Sequence, residues 1–437
     1  MSLRALWQRS WRSVLPPWAD RNLRVVLAAR VSMSAARAIA SIVTALYLAA
    51  VGFSGFEIGV LFVGVTVASA LMSAAVGLLS DRLGRKPFLV ALPLVAAAAA
   101  LVYAELRATA LLFAAGALGS FGRGAGAGAG NVGPYQPAES ALVADSVGGD
   151  RRAAAFGRVA FTSSLGALLG SFVTEVVRTT PHMSAPVATE AYRGAFLIAA
   201  ALSAAAGLLG LLIREAPRPR DPAGERRRLR WPRRSWPALW RFWVTNGTNG
   251  AAIGLFGPFV SYWLFRRYGA TPGAIGLLFA LVNLGSLASA LAAARVANLL
   301  GTVRAISVVR AVGGALLVPM VLAPAFWSAG AVFFVRMLVQ RIGLPLRQSF
   351  TQDMADPDER ASVAALSNLP AQATMAGGQA TAGYLFDEVS LAAPFELAAV
   401  LQVANAVLYA VLFSLHPPRR RELPDAALAG GDPVEAT

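Results

Sequence analysis

The chain alternates between long apolar segments and short polar ones over nearly its whole length. A helix needs about 20 mainly apolar residues to cross the hydrocarbon core of a membrane. A window of that length predicts twelve spans, so we expect an all-α polytopic membrane protein. The spans lie near residues 26–50, 57–79, 87–105, 109–131, 154–177, 192–213, 240–267, 273–294, 303–323, 327–347, 361–386 and 393–415.

Arginine and lysine residues are concentrated in the loops on one side of the predicted spans. Arg82, Arg85 and Lys86 follow span 2, and a run of arginines at 419–421 follows span 12. The loops on the opposite side carry few cations. The positive-inside rule therefore places the cation-rich loops and both termini in the cytoplasm. We expect a multi-pass protein of the cytoplasmic (inner) membrane.

The longest polar stretch divides the spans into two groups of six. It is rich in arginine and proline, which predicts a basic cytoplasmic linker facing anionic lipid headgroups. The first residues have apolar and basic positions at helical spacing, which favours an amphipathic segment at the cytoplasmic interface; a disordered tail is the alternative. The predicted boundaries are an N-terminal segment at 1–23, a six-helix half at 24–213, the linker at 214–238, a second half at 239–416 and a cytoplasmic tail at 417–437.

A short internal repeat supports two related halves. Three residues that follow span 4 recur 208 positions later, after span 10, at equivalent places in the topology. Duplicated halves with a binding site between them are a recurrent transporter architecture. The repeated pairs are Pro137 and Pro345, Asp145 and Asp353, and Arg152 and Arg360.

Composition agrees with a membrane protein and argues against several kinds of chemistry. Hydrophobic residues make up 56% of the chain and charged residues 14%, against about 25% charged in ordinary soluble domains. The net charge of +16 follows the loops, so it indicates topology and no nucleic-acid partner. There is no cysteine, and the 2 histidines lack neighbours of ligand type. We therefore expect no metal site, no cofactor and no enzymatic activity.

The loop between spans 2 and 3 carries the most specific motif in the chain. It reads Gly77-Leu-Leu-Ser-Asp81-Arg82-Leu-Gly84-Arg85-Lys86. It resembles the signature loop of the major facilitator superfamily, in which glycine is followed after three residues by Asp-Arg and then by Gly-Arg-Lys or Gly-Arg-Arg. The resemblance implies two pseudo-symmetric six-helix bundles that transport a solute by alternating access. We expect the chain to act as a monomer.

The motif also predicts a gate. Gly77 would allow close packing of span 2 on a neighbour, and Gly84 would permit a tight turn. The resemblance implies that Asp81 sits against the positive N-terminal end of span 11. Arg82 and Arg85 then need acidic partners, for which Asp145 is the candidate. The alternative is a basic turn that only obeys the positive-inside rule.

Polar residues inside the spans are candidates for substrate binding, because intramembrane charge is costly. Arg37 lies near the middle of span 1 with Arg30 seven residues before it, and no acidic residue is expected at matching depth. The resemblance implies that spans 1, 4, 7 and 10 line a central cavity. The alternatives are arginines satisfied by carbonyls and water, and amides in ordinary interhelical hydrogen bonds. The candidates are Arg37, Arg123, Asn246, Asn249, Arg336 and Gln340.

Span 4 contains a glycine-rich run after Arg123. Five glycines between 122 and 130 weaken a helix by about 1 kcal/mol each relative to alanine. The run therefore predicts either a bend or break in span 4 or a face for close helix packing.

These residues favour a secondary active transporter for a small organic solute, anionic or amphipathic, whose negative group binds the cavity arginines. A proton-coupled multidrug exporter of the same fold is the alternative. Glu139 and Glu175, near the ends of spans 4 and 5, would then carry the proton or another coupling ion. A non-transporting membrane sensor is a more remote alternative. The expected partners are the small-molecule substrate and membrane lipids.

Overall fold

The computed structural model of the chain describes residues 18–121, 133–147, 151–177, 185–215, 232–356, 359, 362–363 and 366–414. Within them the helices before the linker form the N-half. They are α1 (Arg21–Val51), α2 (Gly55–Leu83), α3 (Lys86–Glu105), α4 (Thr109–Gly119), α5 (Gln136–Ser146), α6 (Arg152–Val173) and α7 (Ala185–Leu211), and a short 3₁₀ turn at Thr174–Val176 follows α6.

The helices after the linker form the C-half. They are α8 (Trp236–Phe256), α9 (Val260–Tyr268), α10 (Pro272–Leu300), α11 (Thr302–Ala315), α12 (Leu317–Leu322), α13 (Phe326–Asp353), α14 (Leu369–Glu388) and α15 (Ala393–Ser414). A 3₁₀ turn at Gly257–Phe259 joins α8 to α9.

Local sequence explains where several of these helices begin and end. The Asp20 side chain accepts a hydrogen bond from the Leu23 amide at the start of α1, and Gly52 ends the helix at φ 105°. Ser54 and Glu57 form a capping box at the start of α2. The polar residues between apolar runs therefore set the helix boundaries.

Each of the twelve predicted spans contains helix in the described residues, which confirms an all-α membrane protein. Eight helices are long and apolar enough to cross a membrane, and shorter apolar helices lie at Thr109–Gly119 and Pro272–Gly285. The helices α8 and α14 also have membrane-spanning length. The count of twelve spans stays a prediction.

Span 4 differs most from its predicted form. The helix α4 ends at Ser120, which has the left-handed conformation (φ 55°). A second helix, α5, begins at Gln136 and contains Glu139 and Asp145. The segment predicted as a loop after residue 131 is therefore helical, and Asp145 lies on a helix.

Small residues let the helices of each half approach closely. A Cβ atom built on Gly166 or Gly170 of α6 would lie 2.3 or 2.2 Å from a carbonyl oxygen of α1. In the C-half, a Cβ atom on Gly250 or Gly254 of α8 would lie 2.3 or 2.2 Å from a carbonyl oxygen of α14. The two halves therefore share the same kind of glycine-mediated contact between corresponding helices.

The end of the linker is attached to the loop that follows α13. The Glu359 carboxylate accepts hydrogen bonds from the backbone amides of Ser235, at 2.7 Å, and Arg234, at 3.2 Å. Desolvation is the largest single influence and raises the pKa of Glu359, but the hydrogen bonds from Ser235 and Arg234 outweigh it and hold the pKa below its usual value. The charged form of Glu359 thus fixes the start of α8.

Candidate gates and transport pathway

The N-half and C-half meet closely at the end of the bundle where α2 begins and α14 ends. A Cβ atom on Gly59 would lie 2.7 Å from the Gln379 carbonyl oxygen, and one on Gly383 would lie 2.6 Å from the Gly55 carbonyl oxygen. The Thr66 hydroxyl donates to the Gln379 side chain at 2.9 Å. Backbone here approaches backbone, so α2 and α14 close this end of the pathway.

A carboxylate of the C-half caps a helix of the N-half at this contact. Asp387, at the end of α14, accepts hydrogen bonds from the Gly55 amide at 2.9 Å and the Phe56 amide at 2.7 Å. These amides belong to the first turn of α2 and have no partner within the helix. A negative charge is also favoured at the positive end of the helix macrodipole.

A second carboxylate makes the reciprocal contact. The Glu175 carboxylate of the N-half faces the first turn of α10 so closely that a Cβ atom on Gly273 would lie 2.0 Å from its Oε2 atom. The neighbouring Thr174 hydroxyl donates to the Pro272 carbonyl at 3.1 Å. Each half therefore places one acid beside a helix N-terminus of the other, Asp387 through hydrogen bonds to two amides and Glu175 through proximity to the first turn of α10, whose cap is Thr271. We name these two contacts, Asp387 on α2 and Glu175 on α10, the paired acid caps.

Aromatic side chains fill the space beside the paired acid caps. Phe62 of the N-half packs edge-on against Phe259 of the C-half, with ring centroids 5.2 Å apart. Phe386 lies 5.1 Å from Phe259 and 5.4 Å from Tyr262. This apolar plug excludes water from the closed end.

The signature loop lies at the opposite end of α2, where the structure is more open. Gly77 is exposed and an added Cβ atom would meet nothing within 4 Å. Among the described residues, no other helix approaches this side of α2, so the close packing expected at Gly77 is not seen in this state. Gly84 has φ 87°, as its tight turn requires. The side chains of Asp81 and Arg82 lie outside the described residues.

The remaining members of the loop are held within the N-half. The Arg85 guanidinium forms an ion pair with Asp145 of α5. The Glu215 carboxylate accepts hydrogen bonds from the Arg85 and Lys86 amides, at 2.9 and 3.1 Å, and so caps the start of α3. The sequence analysis named Asp145 as a partner but missed Glu215.

Arg37 contacts the break in span 4. It is partly buried, and its Nη1 donates to the Ser120 carbonyl at 3.0 Å. Gly133 lies against the guanidinium, since a Cβ atom there would come within 2.2 Å of Nη2. A cation at the C-terminal end of α4 is favoured by the helix macrodipole. Arg37 therefore has the carbonyl partner that the sequence analysis considered as the alternative, and Arg123 lies outside the described residues.

The partner of Arg30 corrects the prediction that no acidic residue lies at matching depth. Arg30 forms a buried ion pair with Glu139 of α5, so an acidic residue does lie at its depth. The pair stands beside a small cavity of about 20 Å³ that Tyr135 also lines. The sequence analysis missed the pair because it ended span 4 at residue 131, before Glu139.

Arg336 is buried inside the C-half in this state, and its predicted role in substrate binding stays a prediction. Its side chain is 0% exposed. Nε donates to the Gly313 carbonyl at 2.9 Å, Nη2 donates to Gln402 at 3.2 Å, and Nη1 donates to Gln340 at 3.3 Å. The guanidinium also stacks 4.1 Å from the Phe256 ring centre. Arg336 and Gln340 thus stabilise the interior of the C-half.

The two asparagines of α8 are also packing residues in this state. Asn246 is 3% exposed and its Nδ2 donates to the Ser367 carbonyl at 2.9 Å, just before α14. Asn249 is 8% exposed. They lie on the stretch of α8 that packs closely on α14 through Gly250, so a cavity-facing role is not seen.

Acidic residues at helix ends are the features that the sequence analysis missed. Asp387 follows span 11 and Glu215 follows span 6. Each of these acids comes at or just after the end of one helix and lies beside the start of another. An acidic residue at such a position is the sequence signal from which these caps could have been predicted. Among the described residues, no group of three or more side chains of metal-ligand type is found.

Two helical halves that meet closely at one end define a polytopic membrane protein. The sequence profile of the Major Facilitator Superfamily matches residues 25–248 and again residues 242–435. The chain belongs to the major facilitator superfamily. The fold is that of a secondary transporter and not of an enzyme. Comparison with curated protein sequences gives no match.

Solved structures of other transporters share the fold at low sequence identity. A POT family transporter in complex with 5-aminolevulinic acid has a TM-score of 0.71 at 12% identity, covering 90% of this chain and 96% of that one. The nucleoside transporter NupG (D323A mutant) gives 0.66 at 14%, covering 89% and 100%. A bacterial homologue of the human lysosomal transporter Spinster, inward-facing and unoccupied, gives 0.65 at 15%, covering 91% and 96%.

Proposed function

We propose that the chain moves a small organic solute across the cytoplasmic membrane by rocking its two halves about a central site. The observation that carries this proposal is the asymmetry of α2. Its first turns are clamped to α14 through Gly55 and Gly59, whereas Gly77 near its other end has free space beside it. A molecule closed at one end and open at the other is one state of an alternating-access cycle.

The positive-inside rule assigns the two ends. The open end carries the basic signature loop and the linker, and both are cytoplasmic by their charge. The paired acid caps are then extracellular, and the structure is the cytoplasm-open state. In the opposite state we expect α2 and α14 to meet through Gly77 and Asp81, as the family motif implies.

We further propose that the paired acid caps couple transport to protons. Asp387 and Glu175 favour the closed outer end only while they are negatively charged, because a neutral acid loses its attraction to the helix N-termini. Protonation from outside would therefore favour opening of the outer gate. This extends the predicted coupling role of Glu175 to Asp387, whereas Glu139 is occupied by Arg30 inside the N-half.

The proposed substrate is an anionic or amphipathic molecule that contacts Arg37. Arg37 is partly buried on α1 at the break in span 4, and its hydrogen bond to Ser120 can be exchanged for one to a ligand. Similar solved structures include a nucleoside transporter and peptide transporters, which supports a small organic substrate.

A multidrug exporter of the same fold is the second candidate. Arg336 is buried inside the C-half and is not exposed to the pathway. The rings of Phe62, Phe259 and Phe386 instead supply an aromatic surface at the closed end of the pathway. Aromatic surfaces of this kind favour apolar and cationic ligands.

Ligand-dependent thermal stabilisation of the purified protein separates the two candidates. Anionic metabolites and cationic drugs are screened against the wild type, Arg37→Gln and the matched control Arg24→Gln, an exposed arginine on the same helix. Stabilisation by anions that only Arg37→Gln abolishes supports the anion transporter. Stabilisation by cationic drugs that both variants retain replaces it with the exporter. No stabilisation by any member of either panel would contradict both.

A further inference from the structure

A cluster of cations lies inside the C-half, near its predicted cytoplasmic end. Arg310 of α11 donates through Nη1 to Asn405 of α15 and stacks 4.8 Å from the ring centre of Tyr409. Arg347 of α13 lies close enough to interact electrostatically with both Arg310 and Tyr409. We call Arg310, Arg347 and Tyr409 the C-half cation cluster.

The cluster lacks a negative charge. In the part of the chain that the structure describes, neither arginine forms an ion pair. The Nη2 atom of Arg310 and the hydroxyl of Tyr409 are buried and have no hydrogen-bond partner. Two neighbouring guanidinium groups repel each other and are costly to remove from water. Two buried donors of the cluster therefore lack an acceptor.

The internal repeat shows how the other half solves the same problem. The offset of 208 residues that relates Asp145 to Asp353 also relates Glu139 to Arg347. In the N-half, Glu139 neutralises the buried Arg30. In the C-half an arginine replaces that carboxylate, so the protein itself does not supply the counter-charge.

We propose that the C-half cation cluster binds a phosphate-type oxyanion. Guanidinium groups present paired N–H donors that match the oxygens of phosphate, and the Tyr409 hydroxyl adds a third donor. The two arginines keep partial exposure, so the site is reachable. The bound anion would join α11, α13 and α15 in the C-half, as Glu139 joins α5 to α1 in the N-half. The site lies within the C-half, among α11, α13 and α15.

The phosphate group could belong to free inorganic phosphate or to a lipid headgroup. Arg347 lies six residues before the end of α13 and Arg310 eight residues after the start of α11, so the cluster faces the headgroup region of the cytoplasmic leaflet. The chemistry of recognition is the same for both sources, and the experiment has an arm for each.

Thermal unfolding of the full-length protein in neutral detergent tests the site. Inorganic phosphate is titrated at constant ionic strength against chloride, and phosphatidylglycerol is titrated separately against phosphatidylcholine. For the wild type we expect a saturable rise in Tm of about 3–6 °C with at least one phosphate source. A response to phosphatidylglycerol alone identifies the headgroup, and a response to phosphate alone identifies the free anion.

Three variants make the result specific. Arg347→Glu recreates the N-half arrangement, so its Tm without ligand should rise and its response should vanish. Arg347→Gln should need at least about tenfold more ligand. Arg304→Glu, an exposed arginine on the same helix as Arg310, should respond like the wild type. General salting effects of phosphate act on all variants alike.

Two outcomes overturn the proposal. One is a wild type that shows no saturable response to either phosphate source. The other is an equal response in the wild type and in Arg347→Gln, which would place the effect elsewhere. Neither outcome bears on alternating access, because the readout does not involve transport.

Discussion

Single charged residues at helix ends govern how the two halves of this molecule meet. Asp387 and Glu175 each reach from one half to the first turn of a helix in the other. Glu215 makes the same kind of cap within the N-half, at the start of α3. In the membrane interface such amides need a partner, and a carboxylate supplies both the acceptor and the charge. The acid caps thus connect local helix chemistry to the state of the gate.

Asp387→Asn should open the outer gate without unfolding the protein. The amide keeps the shape but loses the charge at the start of α2, which we expect to cost about 1–2 kcal/mol of gate closure. A cysteine introduced at Thr66, which is 1% exposed behind the gate, reports the change through labelling by an impermeant maleimide from outside.

The labelling rate of this cysteine should rise roughly 5- to 30-fold in Asp387→Asn. Glu388→Gln, a change at the exposed neighbouring acid, is the matched control and should leave the rate unaltered. An unchanged rate in Asp387→Asn would remove Asp387 from the gate.

Arg336→Met should affect stability and not ligand binding. The substitution leaves the Gly313 carbonyl and Gln402 without their donor, which costs about 1–3 kcal/mol. We expect Arg336→Met to have a lower Tm and an unchanged affinity for the stabilising ligand. The affinity is measured with the same ligand that is used to test Arg37→Gln. A large loss of affinity with an unchanged Tm would return Arg336 to the binding site.

At the scale of elements, glycines and a helix break determine the packing. Gly166 and Gly170 bring α6 onto α1, and Gly250 and Gly254 bring α8 onto α14. Arg37 contacts the C-terminal end of α4, and Arg30, two turns away on α1, holds α5 through Glu139. One face of α1 therefore contacts both helices.

Gly170→Ala should destabilise the protein, because the new methyl group would lie 2.2 Å from the Ala35 carbonyl oxygen. The helices must separate, and we expect a loss of about 1–3 kcal/mol. Gly77→Ala is the matched control, since its methyl group meets open space and alanine favours helix by up to about 1 kcal/mol. Denaturation followed by circular dichroism compares them, and equal stability of the two variants would contradict the packing described here.

Hydropathy and charge were sufficient to predict the spans and the fold class, because both depend on composition along the chain. The orientation of side chains could not be predicted in the same way. From Ala331 to Val339 every residue of α13 except Arg336 is apolar, so nothing in the sequence showed that Arg336 turns into the C-half. The pairing of Arg30 with Glu139 depended on a helix beyond the glycine-rich run, where hydropathy gives no signal.

At the scale of the whole molecule, the two halves act as bodies joined at one end. The paired acid caps and the aromatic plug lie at the end that we propose to be extracellular, while Arg85 and Asp145 hold the signature loop within the N-half at the other end. The same helices, α2 and α14, border both ends. In the proposed cycle, closing one end and opening the other is a single rotation of the halves.

Distances between spin labels at the two ends of α2 and α14 test this central claim most directly. The chain has no cysteine, so paired cysteines can be introduced without removing native ones. Val60→Cys with Val389→Cys reports the outer end, and Leu83→Cys with Leu369→Cys reports the inner end; all four positions are exposed. Each pair is measured with Asp387 intact and with Asp387→Asn. We predict that Asp387→Asn adds a population with a longer outer distance and, in equal proportion, a population with a shorter inner distance. A longer outer distance with an unchanged inner distance would contradict alternating access.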